Sequence, residues 1–281
     1  MTKDQKKEID LFAYFSLTLP KWAGERFVTS RQFLKAYKKL QCSDKGYICI
    51  DDLHRFLDLL FENAQEMGVD FNMMKSFIRD YTFYMEHKKE YWISLKELLK
   101  TIPMIEPNYL LKFRGRASYT ATDFMLIWKR YDPDYTGYLD KSDVEVLVFD
   151  MLTDIEQKSA PKIHKLLVKK VLSNSDEDGR ISFTAFRRCL PVEKNFMTQY
   201  QNLSALTEAD AKRIFSHYDP DDNGSLSGQE LEALIRDVAE RNKKGGDLEY
   251  ILQKTDEMLK RAGGAETGAI LPMHIKHLHD L

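Results

Sequence analysis

The segment Asp219-Pro-Asp-Asp-Asn-Gly-Ser-Leu-Ser-Gly-Gln-Glu230 decides the fold. It reads D-x-D-x-N-G-x-x-x-x-x-E, the spacing of an EF-hand loop. Ca²⁺ is held by six to eight oxygens, and a twelve-residue loop can wrap it with side chains from positions 1, 3, 5, 9 and 12 and a backbone carbonyl from position 7. Asp219, Asp221, Asn223, Ser227 and Glu230 supply those side chains, and Ser225 the carbonyl. Gly224 falls at position 6, where the chain turns sharply and a positive φ is wanted. Glu230 is long enough to offer both carboxylate oxygens. An ordinary surface turn needs Pro, Asp and Gly, but not five side-chain ligand positions in register.

A second loop runs from Asp132 to Asp143. Its ligands would be Asp132, Asp134, Thr136, the Tyr138 carbonyl, Asp140 and Asp143. Asp143 stands where Glu is expected and is one methylene shorter, so it gives one oxygen more readily than two. That lowers the coordination number toward six and suits Mg²⁺ as well as Ca²⁺. A third loop begins at Asn174, with Asp176, Asp178, the Arg180 carbonyl and Ser182 at ligand positions and Gly179 at the turn. Ala185 occupies position 12, so the bidentate ligand is missing. A loop without metal and a weak site are equally compatible with this set.

Each loop carries a hydrophobe at position 8, Leu226, Leu139 and Ile181, suited to a short β-bridge with a partner loop. The same frame finds three degenerate copies. Gln41–Asp52 keeps Gly46 and Ile48, Glu86–Glu97 keeps Ile93, and Gly263–His274 keeps Gly268 and Ile270. The first residues, 41, 86, 132, 174, 219 and 263, are 45, 46, 42, 45 and 44 apart. Repeats at a near-constant period are the mark of a repeated supersecondary unit.

The flanks agree. Phe124, Ile127, Trp128 and Tyr131 enter the Asp132 loop at helical spacing, as Ala211, Ile214, Phe215 and Tyr218 enter the Asp219 loop. Thr29, Thr120 and Thr207 each stand three residues before Gln or Asp, a helix N-terminal cap. Before Asn174 the apolar residues are out of frame, which suggests a one-residue slip. The predicted fold is all-α: six EF-hand helix–loop–helix units in three pairs with short β-bridges between paired loops. The expected segments are an N-terminal extension 1–26, a degenerate pair 27–103, a second pair 116–191 and a third 206–281.

Six such units in a chain of this length resemble the calbindin, calretinin and secretagogin family. The resemblance covers the chain from about residue 27, with Phe124-Met-Leu-Ile-Trp-Lys-Arg-Tyr-Asp132 and Glu193-Lys-Asn-Phe196 as its most telling parts. Within the family, the loss of ligands from the first pair is most similar to the secretagogin pattern. The resemblance implies a cytosolic calcium buffer or sensor. That family usually has four or more working loops, whereas this chain has one complete loop and one altered one.

Composition narrows the rest. In 281 residues, 42 Lys and Arg face 44 Asp and Glu, so no basic field exists to neutralise nucleic-acid phosphates. Three cysteines without a C-x-x-C pair favour a reducing, cytoplasmic setting. No apolar run near the start is long enough to span a bilayer, which needs about 20 residues. No P-loop, G-x-S-x-G or H-E-x-x-H is present, so an enzyme is not expected. His274, His277 and His279 read as a polar helix end. Met67, Met73, Met74, Met85 and Met125 read as core filling more readily than as a partner groove. The expected function is a monomeric, cytoplasmic calcium-binding regulator that acts through protein partners. A calcium buffer and a structural adaptor are the alternatives.

Overall fold

The computed structural model describes residues 28–40, 47–61, 83–85, 90–95, 98–99, 109–113, 117–152, 161–244 and 247–280. The expected extension 1–26, residues 41–46, 86–89 and 96–97 of the two leading loops, and Met67, Met73 and Met74 lie outside them.

Helix–loop–strand–helix units recur along the chain, except that the described residues of the second hand include a pair of antiparallel strands and the sixth hand closes on a 3₁₀ segment. The first hand contributes α1 (Ser30–Lys39), β1 (Tyr47–Cys49) and α2 (Leu53–Phe61). The second contributes β2 (Phe83–Met85) and β3 (Glu90–Ser94). The third is α3 (Ala121–Tyr131), β4 (Tyr138–Leu139) and α4 (Lys141–Met151). The fourth is α5 (Pro161–Leu172), β5 (Ile181–Ser182) and the single turn α6 (Phe183–Phe186). The fifth is α7 (Glu208–Tyr218), β6 (Leu226–Ser227) and α8 (Gly228–Arg241). The sixth is α9 (Leu248–Arg261), β7 (Ala269–Ile270) and a 3₁₀ segment, Pro272–Asp280.

The position-8 hydrophobes define the pairing. Ile48 sits opposite Ile93, Leu139 opposite Ile181, and Leu226 opposite Ile270, each in an antiparallel bridge. None of the six is more than 1% exposed. A lone helix–loop–helix would leave this apolar residue in water, and pairing two loops buries both at once. The three Thr caps form as capping boxes: Thr29 with Gln32, Thr120 with Asp123 and Thr207 with Asp210. In each, the Thr hydroxyl accepts the N–H three residues on while the later side chain accepts the Thr N–H, so two otherwise orphaned donors are satisfied.

By packing, the chain divides into two compact units, Met1–Lys112 with Glu145–Lys169, and Phe113–Val144 with Lys170–Leu281. Within the first unit, α1 meets the later part of α4. The Ser30 hydroxyl donates to Asp150 at 2.6 Å, Phe33 stacks on Phe149, and Lys38 pairs with Glu145. Phe33 also meets the edge of Phe56 on α2.

Within the second unit, Trp128 and Phe124 of α3 lie against Phe183 and Phe186, with Trp128 edge-on to Phe183 at 5.0 Å. Such ring pairs contribute roughly 0.5–1.5 kcal/mol beyond the area they bury. Met125 is fully buried, in keeping with core filling. The most extensive helix–helix contact of this unit joins α3 of the third hand to α8 of the fifth. It is partly polar: the Arg236 guanidinium lies over the Phe124 ring and pairs with Asp237, which accepts a 2.7 Å bond from the Tyr218 hydroxyl. Burial raises the Asp237 carboxyl above the usual carboxylate range, against the opposing pull of Arg236 and Tyr218.

Candidate metal centres

In the fifth hand, α7 ends on Asp219, whose N–H closes the helix on the Phe215 carbonyl. Helix termination thus places the first ligand. Its two oxygens accept the N–H groups of Asn223 (3.1 Å) and Gly224 (3.0 Å), which folds the loop back over the carboxylate. Gly224 has φ +77°, as its position requires. Asn223 Oδ1 accepts both the N–H and the hydroxyl of Ser225, which fixes the backbone at position 7. Ser227 closes β6, and its N–H donates to Glu230 Oε2 at 3.3 Å, so the first turn of α8 holds the position-12 carboxylate.

The outcome is a convergence of charge. Oxygens from Asp219, Asp221 and Glu230 lie within 4.8 Å of one another, the one such trio of His, Cys, Asp or Glu among the described residues. Burial raises the Glu230 carboxyl above its ordinary range. The Ser227 N–H works against that rise, and the charges of Asp221 and Asp219 add to it. Three carboxylates crowded by a loop that also offers amide and carbonyl oxygens are a donor set fitted to a hard divalent cation.

The Asp132 loop repeats the first half of this design. Asp132 is 3% exposed, and its oxygens accept from the Thr136 N–H (2.8 Å) and the Gly137 N–H (2.9 Å), the same positions 5 and 6. The Thr136 hydroxyl lies between Asp132 and the Tyr138 carbonyl, at 2.9 and 3.0 Å. Its second half differs. Asp140 and Asp143 bond reciprocally, each carboxylate accepting the other's N–H, at 2.8 and 2.9 Å. Burial alone would raise Asp140, but hydrogen bonds from Asp143 and Ser142 outweigh it and hold the carboxyl below its usual range. Asp134 is exposed. The four carboxylates therefore do not form a trio as close as that of the Asp219 loop.

In the Asn174 loop, α5 stops at Leu172, one residue short of where α3 and α7 stop relative to their loops. Asn174 directs its amide N–H to the Val171 carbonyl and to Cys189 Sγ. Arg180 spans the two carboxylates, at 2.7 Å from Asp178 and 3.6 Å from Asp176. Ser182 caps α6 through the Ala185 N–H. The Gly263 loop has no carboxylate at a ligand position. Among the terminal histidines, His274 accepts the Leu271 N–H, a local cap.

Two side chains that sequence periodicity marks only as apolar or unassigned carry polar roles. The Trp128 indole N–H donates to Asp132 Oδ2 at 3.1 Å. A Trp four residues before position 1 lies on the same helix face as the ligand, so this bond was open to prediction. Tyr135, at position 4 of the Asp132 loop, donates its hydroxyl to Glu232 Oε1 at 2.9 Å and accepts from Gln229 at 3.1 Å. Burial, and next the Glu232 charge, push its hydroxyl pKa up to about 12, so it is a donor at neutral pH. No local spacing signals that contact, which joins residues 97 apart in sequence.

No family model matches the chain. It is similar to known proteins along most of its length. Calbindin from Gallus gallus is 26% identical over 244 residues, covering 85% of this chain and 90% of that protein. Calbindin from Homo sapiens matches at the same identity and coverage. Calretinin from Bos taurus is 30% identical over 233 residues, covering 80% of this chain and 83% of that protein. With the paired loops and their bridging hydrophobes, this similarity places the chain in the calbindin–calretinin family of EF-hand proteins.

Proposed function

We propose that the chain is a calcium-binding regulatory protein that takes up Ca²⁺ in the Asp219 loop, and more weakly in the Asp132 loop, and changes the surface it offers to protein partners. The observation that carries this reading is the convergence of Asp219, Asp221 and Glu230. The Asp132 loop holds its first ligand in the same way, but its short Asp143 makes it the more tolerant of Mg²⁺. The Asn174 loop, with Arg180 across its carboxylates, serves chiefly as the structural partner of the Asp132 loop. The loop pairs 27–103, 116–191 and 206–281 are the units of that response. The buried thiol of Cys49 and the half-buried one of Cys189, both unbridged, suit a reducing cytoplasm, where the protein acts as a monomer.

A regulator needs a surface that answers to the ion. In the C-terminal pair, Leu206, Ala211, Leu271, Pro272 and Met273 line a groove of about 510 Å³ beside α7. Met273 is 67% exposed and Leu271 is 44% exposed. Movement of α7 against the sixth hand would widen this apolar face, whereas a buffer or adaptor would leave it unchanged. The test is binding of a hydrophobic dye with Ca²⁺, with Mg²⁺ and with neither. Dye binding should rise with Ca²⁺ and not with Mg²⁺, and the rise should vanish in Glu230→Gln. Equal dye binding with and without Ca²⁺, while the site fills, would replace the regulator by a buffer or adaptor.

A further inference from the structure

The β-bridge of the fifth hand leads to a loop that has almost no ligands. Leu226 pairs with Ile270, and the Gly263 loop around Ile270 carries no carboxylate at a ligand position. The Asp219 loop has a second connection, through α8, and this one reaches the other ligand-bearing loop. Gln229 and Glu232 stand one helical turn apart on the same face of α8 and flank Glu230. Both bond to the Tyr135 hydroxyl, at 3.1 and 2.9 Å.

Tyr135 occupies an exacting position. It lies between the ligands Asp134 and Thr136, with φ +53°. The equivalent residue of the Asp219 loop, Asp222, has the same φ. Asp adopts that left-handed conformation readily because its short polar side chain can bond locally, whereas a bulky Tyr does so at a cost of roughly 1–2 kcal/mol. The cost is offset by what the ring and hydroxyl touch. Lys129 Nζ sits 3.4 Å from the ring centroid, and Glu232, 6% exposed, relies on the Tyr135 hydroxyl, since its other oxygen has no hydrogen-bond partner among the described residues.

We propose that Tyr135 couples the two loops, so that filling the Asp132 loop raises the calcium affinity of the Asp219 loop, and the reverse. The inference rests on the reading that both loops take up Ca²⁺. Its physical content is positional. The first turn of α8 sets Glu230, and Tyr135 holds that turn through Gln229 and Glu232. An ion that fixes Asp134 and Thr136 fixes Tyr135 between them, and the turn carrying Glu230 becomes better ordered before its own ion arrives. Linkage requires the effect to be equal in both directions. Cooperation thus runs between the third and fifth hands, across the strand-paired partners.

Two amides report the loops separately. The Gly137 N–H donates to Asp132, and the Gly224 N–H donates to Asp219. Calcium titration followed by the NMR shifts of these two amides should give one midpoint for each loop. Because the weaker Asp132 loop fills when the Asp219 loop is already occupied, the coupling is read at Gly137: Tyr135→Phe keeps the ring and every ligand, yet should weaken the Gly137 midpoint by about fivefold or more, the lower end of allosteric coupling. Glu232→Ala, which removes the acceptor from the other side in a residue favourable to the helix, should do the same. Glu230→Gln, which leaves the Asp219 loop empty while the Asp132 loop fills, should weaken the Gly137 midpoint by a similar factor, and adding Tyr135→Phe to it should cost nothing more. An unchanged Gly137 midpoint in Tyr135→Phe, or effects of Tyr135→Phe and Glu230→Gln that multiply, would overturn the coupling while leaving both sites intact. A wild-type Gly224 amide that ignores Ca²⁺ would overturn the two-site reading, and the coupling with it.

Discussion

Replacing Glu230 by Gln should abolish the tightest phase of calcium binding while the fold survives. Gln keeps the length of the side chain and one oxygen, so the Ser227 N–H at 3.3 Å retains an acceptor. Gln is also accepted at this position of a capping box, so α8 should still start at Gly228. What disappears is one of three converging negative charges, together with the second ligand oxygen. Charge count and ligand number move EF-hand affinities over decades, so the loss should be on the order of a hundredfold. The effect also shows in stability. At a free Ca²⁺ concentration about 100 times the wild-type dissociation constant, the wild type gains about 2.7 kcal/mol, whereas the variant, then only half filled, gains about 0.4 kcal/mol. Urea unfolding with and without Ca²⁺ reads this difference. A variant that keeps the wild-type gain would remove Glu230 from the site.

The second large effect concerns Trp128. It is fully buried between Phe183 and Phe186 and reaches the metal loop through its indole N–H. Trp128→Ala should cost roughly 3–5 kcal/mol through the cavity it leaves. That is a large part of the roughly 5–15 kcal/mol typical of a domain. Trp128→Phe separates the two roles. The smaller ring still fills most of the space against Phe183, but Asp132 loses a donor. The Phe variant should unfold at a denaturant concentration much closer to wild type than the Ala variant does. Its calcium affinity should fall at the Asp132 loop, read by the Gly137 amide. If the Phe variant binds there as tightly as wild type, the Trp128–Asp132 bond has no part in ordering the loop.

The pairing of loops was legible because its determinant is local and periodic. One apolar residue recurs at position 8, and each copy finds its partner across a two- or three-residue bridge. The capping boxes were legible for the same reason, since each is written within four consecutive residues. The Asp219 loop was legible because spacing alone dictates which oxygens can converge. The chain does not spell out what lies across helix faces. Val146, Leu147, Val148 and Phe149 are consecutive and all buried, so their periodicity cannot say which neighbour α4 covers, and its later part groups with α1. Arg180 reads as a carbonyl donor at position 7, yet its side chain spans the carboxylates of its own loop. Tyr135 stands at a position that lends no ligand, and its role appears only when α3 and α8 are brought together.

Calorimetric titration of the full chain with Ca²⁺, repeated in Mg²⁺, tests the central claim most directly, because it counts the working loops. Two sites are expected, the tighter one lost in Glu230→Gln. Mg²⁺ should depress the weaker, Asp132 phase more than the Asp219 phase, as the shorter Asp143 implies. Four or more tight sites, or no calcium-dependent heat at any loop, would contradict the account.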